Sequence, residues 1–208
     1  GQVPAPGAAA AGTPPPAASV VAAPSDVGPT PLVHVRTDVL DLEIDTRGGQ
    51  LRSARLPRYP VHKDQPDVPV QLLNPQADQL FLINSGLRAA NGQPEANHLT
   101  VLSASQTEYT LAEGSDDLAV ALTWEAAGQV AVTKTYHFRR GSYAIGLDYA
   151  VRNLGATPYD VASYLQIQRL HHPPERSYFN VDSYSFTGPV AYDGNKYSKL
   201  DVKKLADE

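Results

Sequence analysis

The side chains best suited to acid–base chemistry in this chain are its six histidines, His34, His62, His98, His137, His171 and His172. A histidine beside a carboxylate can act as general base or general acid, because its ordinary pKa lies near neutrality. His137 falls inside the segment TYHFRR, whose position within a strand is more typical of a surface or core-edge residue than of a catalyst. In a strand, His171 and His172 would face opposite sides, so one metal ion could not bind both. Pro173 and Pro174 follow them and favour a loop.

Other patterns that carry chemistry are absent from the sequence. There is no cysteine, which excludes disulfides, thiol catalysis and cysteine-based zinc sites. The segment DTRGGQ is not followed by the GK[ST] of a phosphate-binding loop, and no G-x-S-x-G elbow offers a serine nucleophile. Asp38, Asp41 and Asp45 fit solvated strand positions, and Asp116 and Asp117 fit a polar turn. We therefore expect no enzymatic activity and no cofactor.

The composition narrows the class of protein further. The net charge is −5, and no basic patch is interleaved with aromatic residues, so nucleic acid is not an expected partner. No apolar run approaches the roughly 20 residues that cross a bilayer as a helix. Methionine is absent even at position 1, which predicts that the chain is a piece of a longer protein.

Residues 1–31 differ sharply from the rest of the chain. They contain nine Ala, eight Pro and four Gly, and Asp26 is their only charged residue. Such a segment has too little apolar bulk to offset the entropy of ordering it. We interpret it as a flexible, partly extended linker.

From residue 32 onward the pattern indicates strands. Leu40, Leu42 and Ile44 lie on one side of an alternating segment, and Gly48-Gly49 predicts a turn before the next strand. Residues 117–153 predict three long strands, and TPYDVASYLQIQRL predicts a fourth. Asp193-Gly194 predicts a last hairpin with a type I′ turn. Long strands separated by tight turns favour an antiparallel sandwich or barrel, with helix possible only after Tyr197.

Several segments in order resemble the periplasmic domain of the bacterial membrane protein insertase family YidC. They are VRTDVLDLEIDTRGGQLRSARLPRYP, QLLNP, YTLAEGSDDLAV, TKTYHFRRGSYAIGLDYAVRN and YDGNKYSKLDVKKLADE, and together they span about residues 33–208. The resemblance implies an all-β antiparallel supersandwich, an architecture shared with galactose mutarotases. It also implies that the hairpin around Gly48-Gly49 forms the first two strands of the domain.

The resemblance further implies a division of the chain and a cellular role. Residues 1–31 would be the linker, and residues 32–208 would be the N-terminal portion of a domain that continues past Glu208. The parent would be a multi-pass inner-membrane protein that inserts and helps fold membrane proteins, alone or with the Sec translocon. The domain itself would serve docking or chaperone-like contacts at the periplasmic face. Its partners would be Sec accessory subunits and nascent membrane proteins.

A mutarotase-like or carbohydrate-binding periplasmic protein is the alternative. The mutarotase signature has a histidine two residues before Tyr-Phe-Asn, and YFN occurs here at residues 178–180. The corresponding position is Arg176, which stays protonated and cannot serve as a base. The broken signature argues against mutarotase activity, although a sugar-binding module remains open.

Tyrosine is the residue type that most suggests a binding surface. The chain has eleven, and six lie within its last fifty residues: Tyr159, Tyr164, Tyr178, Tyr184, Tyr192 and Tyr197. Tyrosine suits protein interfaces and sugar stacking, and it also fills half-buried sheet positions. We take these six residues as the candidate partner or cleft surface.

Overall fold

The computed structural model describes residues 28–171, 186 and 188–200. Within those ranges the chain is all-β and contains no helix, so no described helix could span a membrane. The part of the predicted linker that is described, residues 28–31, leads directly into the first strand. The expected all-β fold is confirmed.

The larger sheet has seven strands in the order β11-β5-β3-β2-β1-β7, with β4 paired to the far half of β3. Its strands are β1 (Leu32–Arg36), β2 (Asp41–Asp45), β3 (Gln50–His62), β4 (Gln65–Leu73), β5 (Phe81–Ala89), β7 (Glu108–Thr110) and β11 (Val161–Arg169). β11 pairs only with β5, so it forms one edge of this sheet.

The smaller sheet has four strands in the order β10-β9-β8-β6. They are β6 (Ser103–Ala104), β8 (Asp117–Ala126), β9 (Val130–Arg139) and β10 (Gly146–Asn153). Strands β12 (Val190–Tyr192) and β13 (Tyr197–Lys199) form a separate hairpin. The three long strands predicted for residues 117–153 and the fourth that follows are therefore confirmed.

The core lies where the two large sheets face each other. Alternate residues of β1 and β2, including Val33, Val35, Leu42 and Ile44, are fully buried from the side of the larger sheet. The smaller sheet contributes residues at the same period-two spacing: Val120, Leu122, Val130, Val132, Tyr136 and Phe138. Side chains of a strand alternate between its two faces, so this register turns one face of each sheet inward. The result is a β-sandwich.

Two details of the predicted strands were wrong. β1 precedes the Gly48-Gly49 hairpin, so this hairpin joins the second and third strands rather than the first two. The turn between β1 and β2 contains neither glycine nor proline. It is stabilised by the Thr37 hydroxyl, which accepts hydrogen bonds from the amides of Val39 and Leu40. In addition, β1 and β7 pair in parallel within the otherwise antiparallel sheets.

The second wrong detail concerns the last hairpin, which exists but has a different turn. Tyr192 pairs with Tyr197, so four residues connect the strands, and only Gly194 among them has positive φ. A type I′ turn needs positive φ at both central residues. The Asp193 carboxylate instead accepts hydrogen bonds from the amides of Asn195 and Lys196, which stabilises the longer loop.

Candidate functional site

Two of the six candidate tyrosines are half-buried and hydrogen-bonded within the sandwich. The Tyr159 hydroxyl donates to the Pro94 carbonyl oxygen at 2.7 Å. The Tyr164 hydroxyl lies 2.6 Å from His98 Nδ1 and accepts from the His98 amide at 2.9 Å. Burial raises the pKa of both phenols. Tyr164 therefore joins the loop before β6 to β11, and Tyr159 joins it to the segment that leads into β11.

Two other candidates, Tyr192 and Tyr197, are exposed on the β12–β13 hairpin. Their rings stack with centroids 4.5 Å apart, and they are 55% and 71% exposed. Val190 lies two residues before Tyr192 on the same face and is also exposed. We call Val190, Tyr192 and Tyr197 the hairpin face. Tyr178 and Tyr184 lie outside the described residues.

Two cavities lie beside the sheets, away from the four described candidate tyrosines. A cavity of about 440 Å³ lies against the smaller sheet, lined by Val101, Ser103, Thr123, Trp124, Glu125, Ala131, Val132 and Thr133. A second cavity, of about 240 Å³, lies beside β1 and β7. Neither is lined by Tyr159, Tyr164, Tyr192 or Tyr197.

The described histidines and carboxylates form no metal site. Among the residues that the structure describes, no group of three histidine or acidic side chains could hold an ion. His137 Nε2 lies 2.9 Å from an Asp148 carboxylate oxygen, but both side chains are well exposed on the outer surface. Such an exposed pair is a surface ion pair when the histidine is protonated.

The most unusual side chain is one that was not among the candidates: Lys134 of β9, which is only 1% exposed. Its Nζ donates to the carbonyl oxygens of Gly48 at 2.7 Å and Gly49 at 2.9 Å, and reaches that of Ser85 in β5 at 3.4 Å. No ion pair among the described residues includes it. Lys134 therefore joins the smaller sheet to the larger one through backbone acceptors.

Two tyrosine rings complete this interior cluster. Lys134 Nζ lies 5.2 Å from the Tyr136 ring centroid and 5.7 Å from that of Tyr149. The Tyr136 hydroxyl donates to the Gly49 carbonyl at 2.6 Å. Burial lowers the pKa of Lys134 to about 7, because an ammonium loses its hydration in the core.

The Gly48-Gly49 turn has the shape that this cluster requires. Both glycines have positive φ, at 66° and 57°, as a type I′ turn demands. A Cβ on Gly48 would lie 2.4 Å from the His98 carbonyl oxygen, and one on Gly49 would lie 3.0 Å from Lys134 Cδ. Side chains are thus excluded on both sides, which explains the two consecutive glycines.

The edge strand β11 carries apolar residues on its core-facing side that the smaller sheet does not cover. Ile167 pairs with Ile83, which packs against the core, so Leu165 and Val161 share that face. Leu165 is 65% exposed and Ile167 is 63% exposed. We call Val161, Leu165 and Ile167 the β11 strip.

Comparison with known proteins gives a consistent result. Residues 32–208 match the family model described as YidC periplasmic domain. The chain is 41% identical over 200 residues to the membrane protein insertase YidC of Thioalkalivibrio sulfidiphilus, covering 92% of this chain and 35% of the relative. It is 40% identical over 192 residues to that of Coxiella burnetii, covering 90% and 33%, and 42% identical over 175 residues to that of Methylococcus capsulatus, covering 84% and 32%. The chain spans about a third of the length of these curated relatives.

Proposed function

Because this chain belongs to the YidC periplasmic domain family, we propose that it is a non-catalytic docking domain of a membrane protein insertase. In this proposal the parent protein inserts and helps fold inner-membrane proteins, alone or with the Sec translocon. The domain lies at the periplasmic face of the inner membrane, where it makes docking or chaperone-like contacts. Its partners are Sec accessory subunits and nascent membrane proteins.

The observation that carries the docking proposal is the hairpin face. Tyr192 and Tyr197 present a stacked, largely exposed aromatic surface on a hairpin that pairs with neither large sheet. Tyrosine provides a large contact area at low entropic cost, with a hydroxyl that tolerates water at the rim of an interface. Lys199 pairs with Val190 across the hairpin, which adds a positive charge next to this face.

The β11 strip supports the proposed domain division. An edge strand with exposed apolar residues is a liability unless something covers it. The relatives are about three times as long as this chain, so further polypeptide is available in them. We propose that residues 32–208 are the N-terminal portion of the domain and that later strands of the parent cover the β11 strip.

Site-specific photocrosslinking in the full-length insertase tests both parts. A photoreactive residue at Tyr192 or Tyr197 should crosslink to a Sec accessory subunit or to a nascent membrane protein. The same probe at Leu165 should give an intramolecular crosslink to a later part of the insertase. Ala121, exposed on β8, is the matched control and should give neither product.

The outcomes separate the two proposals. Crosslinks to Sec subunits from Leu165 but not from the hairpin would refute the assigned docking surface. A hexose that selectively shifts the NMR signals of Tyr192 and Tyr197 would instead favour the carbohydrate-binding alternative.

A further inference from the structure

Lys134 bridges the two sheets in a way that depends on its proton. Within the described part of the chain it is the only buried lysine or arginine. Its three acceptors come from the β2–β3 turn, through Gly48 and Gly49, and from β5, through Ser85. All three belong to the larger sheet, whereas Lys134 itself lies on β9 of the smaller one.

We propose that the protonation state of Lys134 controls how the two sheets are joined. The ammonium form donates to all three carbonyl oxygens, whereas the amine form no longer binds the carbonyl oxygen of Ser85. An ammonium has three N–H donors, which matches three acceptors. An amine has two hydrogens and a lone pair, so at least one carbonyl loses its donor. The Ser85 contact, at 3.4 Å against 2.7 and 2.9 Å for the other two, is the weakest and is lost first.

The groups facing Lys134 do not compete for this proton. Tyr136 comes from β9 and Tyr149 from β10, and burial raises the pKa of both phenols, so they stay neutral at and below neutral pH. The turn and β5 present backbone carbonyls. Burial lowers the pKa of Lys134 to about 7, so its side chain changes between ammonium and amine near neutral pH.

His98, on the loop that packs against Gly48, is a second group whose ordinary pKa lies close to this range. Its backbone lies against Gly48, and its ring Nδ1 lies 2.6 Å from the Tyr164 hydroxyl. Burial lowers the pKa of His98 below its ordinary value of 6.5. Its protonation therefore falls at a lower pH than that of Lys134, and a His98→Gln variant separates the two effects.

The hydrogen bond between Lys134 and Ser85 affects the edge of the larger sheet that β11 forms. β5 lies between the body of the larger sheet and the edge strand β11. When Ser85 is released, β5 loses this hydrogen bond to β9, although Leu87 still packs against Val130 and Val132, and the β5–β11 ladder should open more often. The β8–β9 ladder does not depend on this contact and provides an internal control.

NMR on the 208-residue chain tests the proposal directly. The Lys134 Cε signal, identified by its contacts to the Tyr136 and Tyr149 rings, should titrate near pH 7. Amide exchange should also respond: measured relative to the protection factors of β8, which follow the global stability, those of β5 should fall roughly fivefold between about pH 6 and about pH 8. The proposal is overturned if the Lys134 Cε signal shows no titration step near pH 7, or if β5 and β8 respond alike.

Two variants locate the effect. Lys134→Met keeps a long apolar side chain but carries no proton, so the change in β5 protection with pH should disappear. His98→Gln should retain it, and its loss in that variant would assign the effect to His98 and overturn the proposal. If Lys134→Met does not fold, the wild-type titration and the His98→Gln comparison still decide the outcome. None of these measurements involves a partner protein, so they are independent of the docking proposal.

Discussion

Replacing Gly48 with alanine should destabilise the chain by more than the strain of its backbone conformation alone. At φ +66° an alanine costs about 1–2 kcal/mol relative to glycine. The new Cβ would also lie 2.4 Å from the His98 carbonyl oxygen and 2.5 Å from His98 Cα, distances that no real contact allows. The neighbour is backbone, so the loop must move, and overpacking of this kind costs about 1–3 kcal/mol. The same movement strains the hydrogen bond from the Gly48 amide to the Thr100 carbonyl, which is 2.6 Å long.

Gly114→Ala is the matched control. Gly114 has a similar φ of +79°, but no atom lies within 4 Å of its added Cβ. Urea unfolding of the two variants should give a loss of about 2–5 kcal/mol for Gly48→Ala and about 1–2 kcal/mol for Gly114→Ala. Equal losses, within about 0.5 kcal/mol, would show that the loop yields freely and would refute the close-packing argument.

Three further perturbations have defined expectations. Tyr136→Phe removes the donor to the Gly49 carbonyl, which Lys134 still satisfies, so urea unfolding should show a loss of only about 1 kcal/mol. The pKa of Lys134 is lowered to about 7 in the folded chain and has its ordinary value of 10.5 in the unfolded chain, so the unfolded chain binds more protons between these two pH values. The free energy of unfolding of the wild type should therefore rise from about pH 7 to pH 9, by up to about 1.4 kcal/mol per pH unit. A free energy of unfolding that does not change over this range would contradict the prediction. The Asp38 carboxylate accepts a hydrogen bond from the Gly141 amide and pairs with Arg58, and both contacts lower its pKa. The stability that these contacts provide is lost as the pH falls through that pKa. In the Asp38→Asn variant, the melting temperature should therefore fall less steeply with pH below about pH 4.

The strands could be predicted because their signals are local. Alternation along β2, β8, β9 and β10 fixes both the strand and its buried face within a few residues. Gly48-Gly49 predicts a turn because few other residues adopt positive φ at both positions. The turn at Thr37 could not be predicted in this way, since it depends on one hydroxyl and not on glycine or proline.

Lys134 was missed although the sequence contained a signal for it. Val130, Val132, Tyr136 and Phe138 alternate on the buried face of β9, and the same period places Lys134 among them. Lysine is rarely buried without a partner charge, which argues against taking that register literally. Its acceptors are backbone carbonyls of a turn and of β5. Every residue has a backbone carbonyl, so the residue types do not show which carbonyls accept its hydrogen bonds.

For the candidate tyrosines, the residue type predicts a surface position that only some of them have. Tyr159 and Tyr164 are suited to a surface by type, but the loop that carries Pro94 and His98 covers them. The path of that loop depends on packing between segments about 65 residues apart, as the hydrogen bonds record. Tyr192 and Tyr197 have no such cover, so only the fold separates the two pairs.

The bond from Lys134 to the Gly48-Gly49 turn also sets an order of events when the chain folds. Its two ends are separated by 86 residues, so the turn forms early from local contacts, and its carbonyls stay in water until β9 arrives. A chain that is synthesised and exported from its N-terminus therefore cannot close the two sheets until β9 has emerged. Until then the apolar faces of β1 and β2 are only partly covered and can contact other hydrophobic segments nearby, and Lys134 enters the core together with β9.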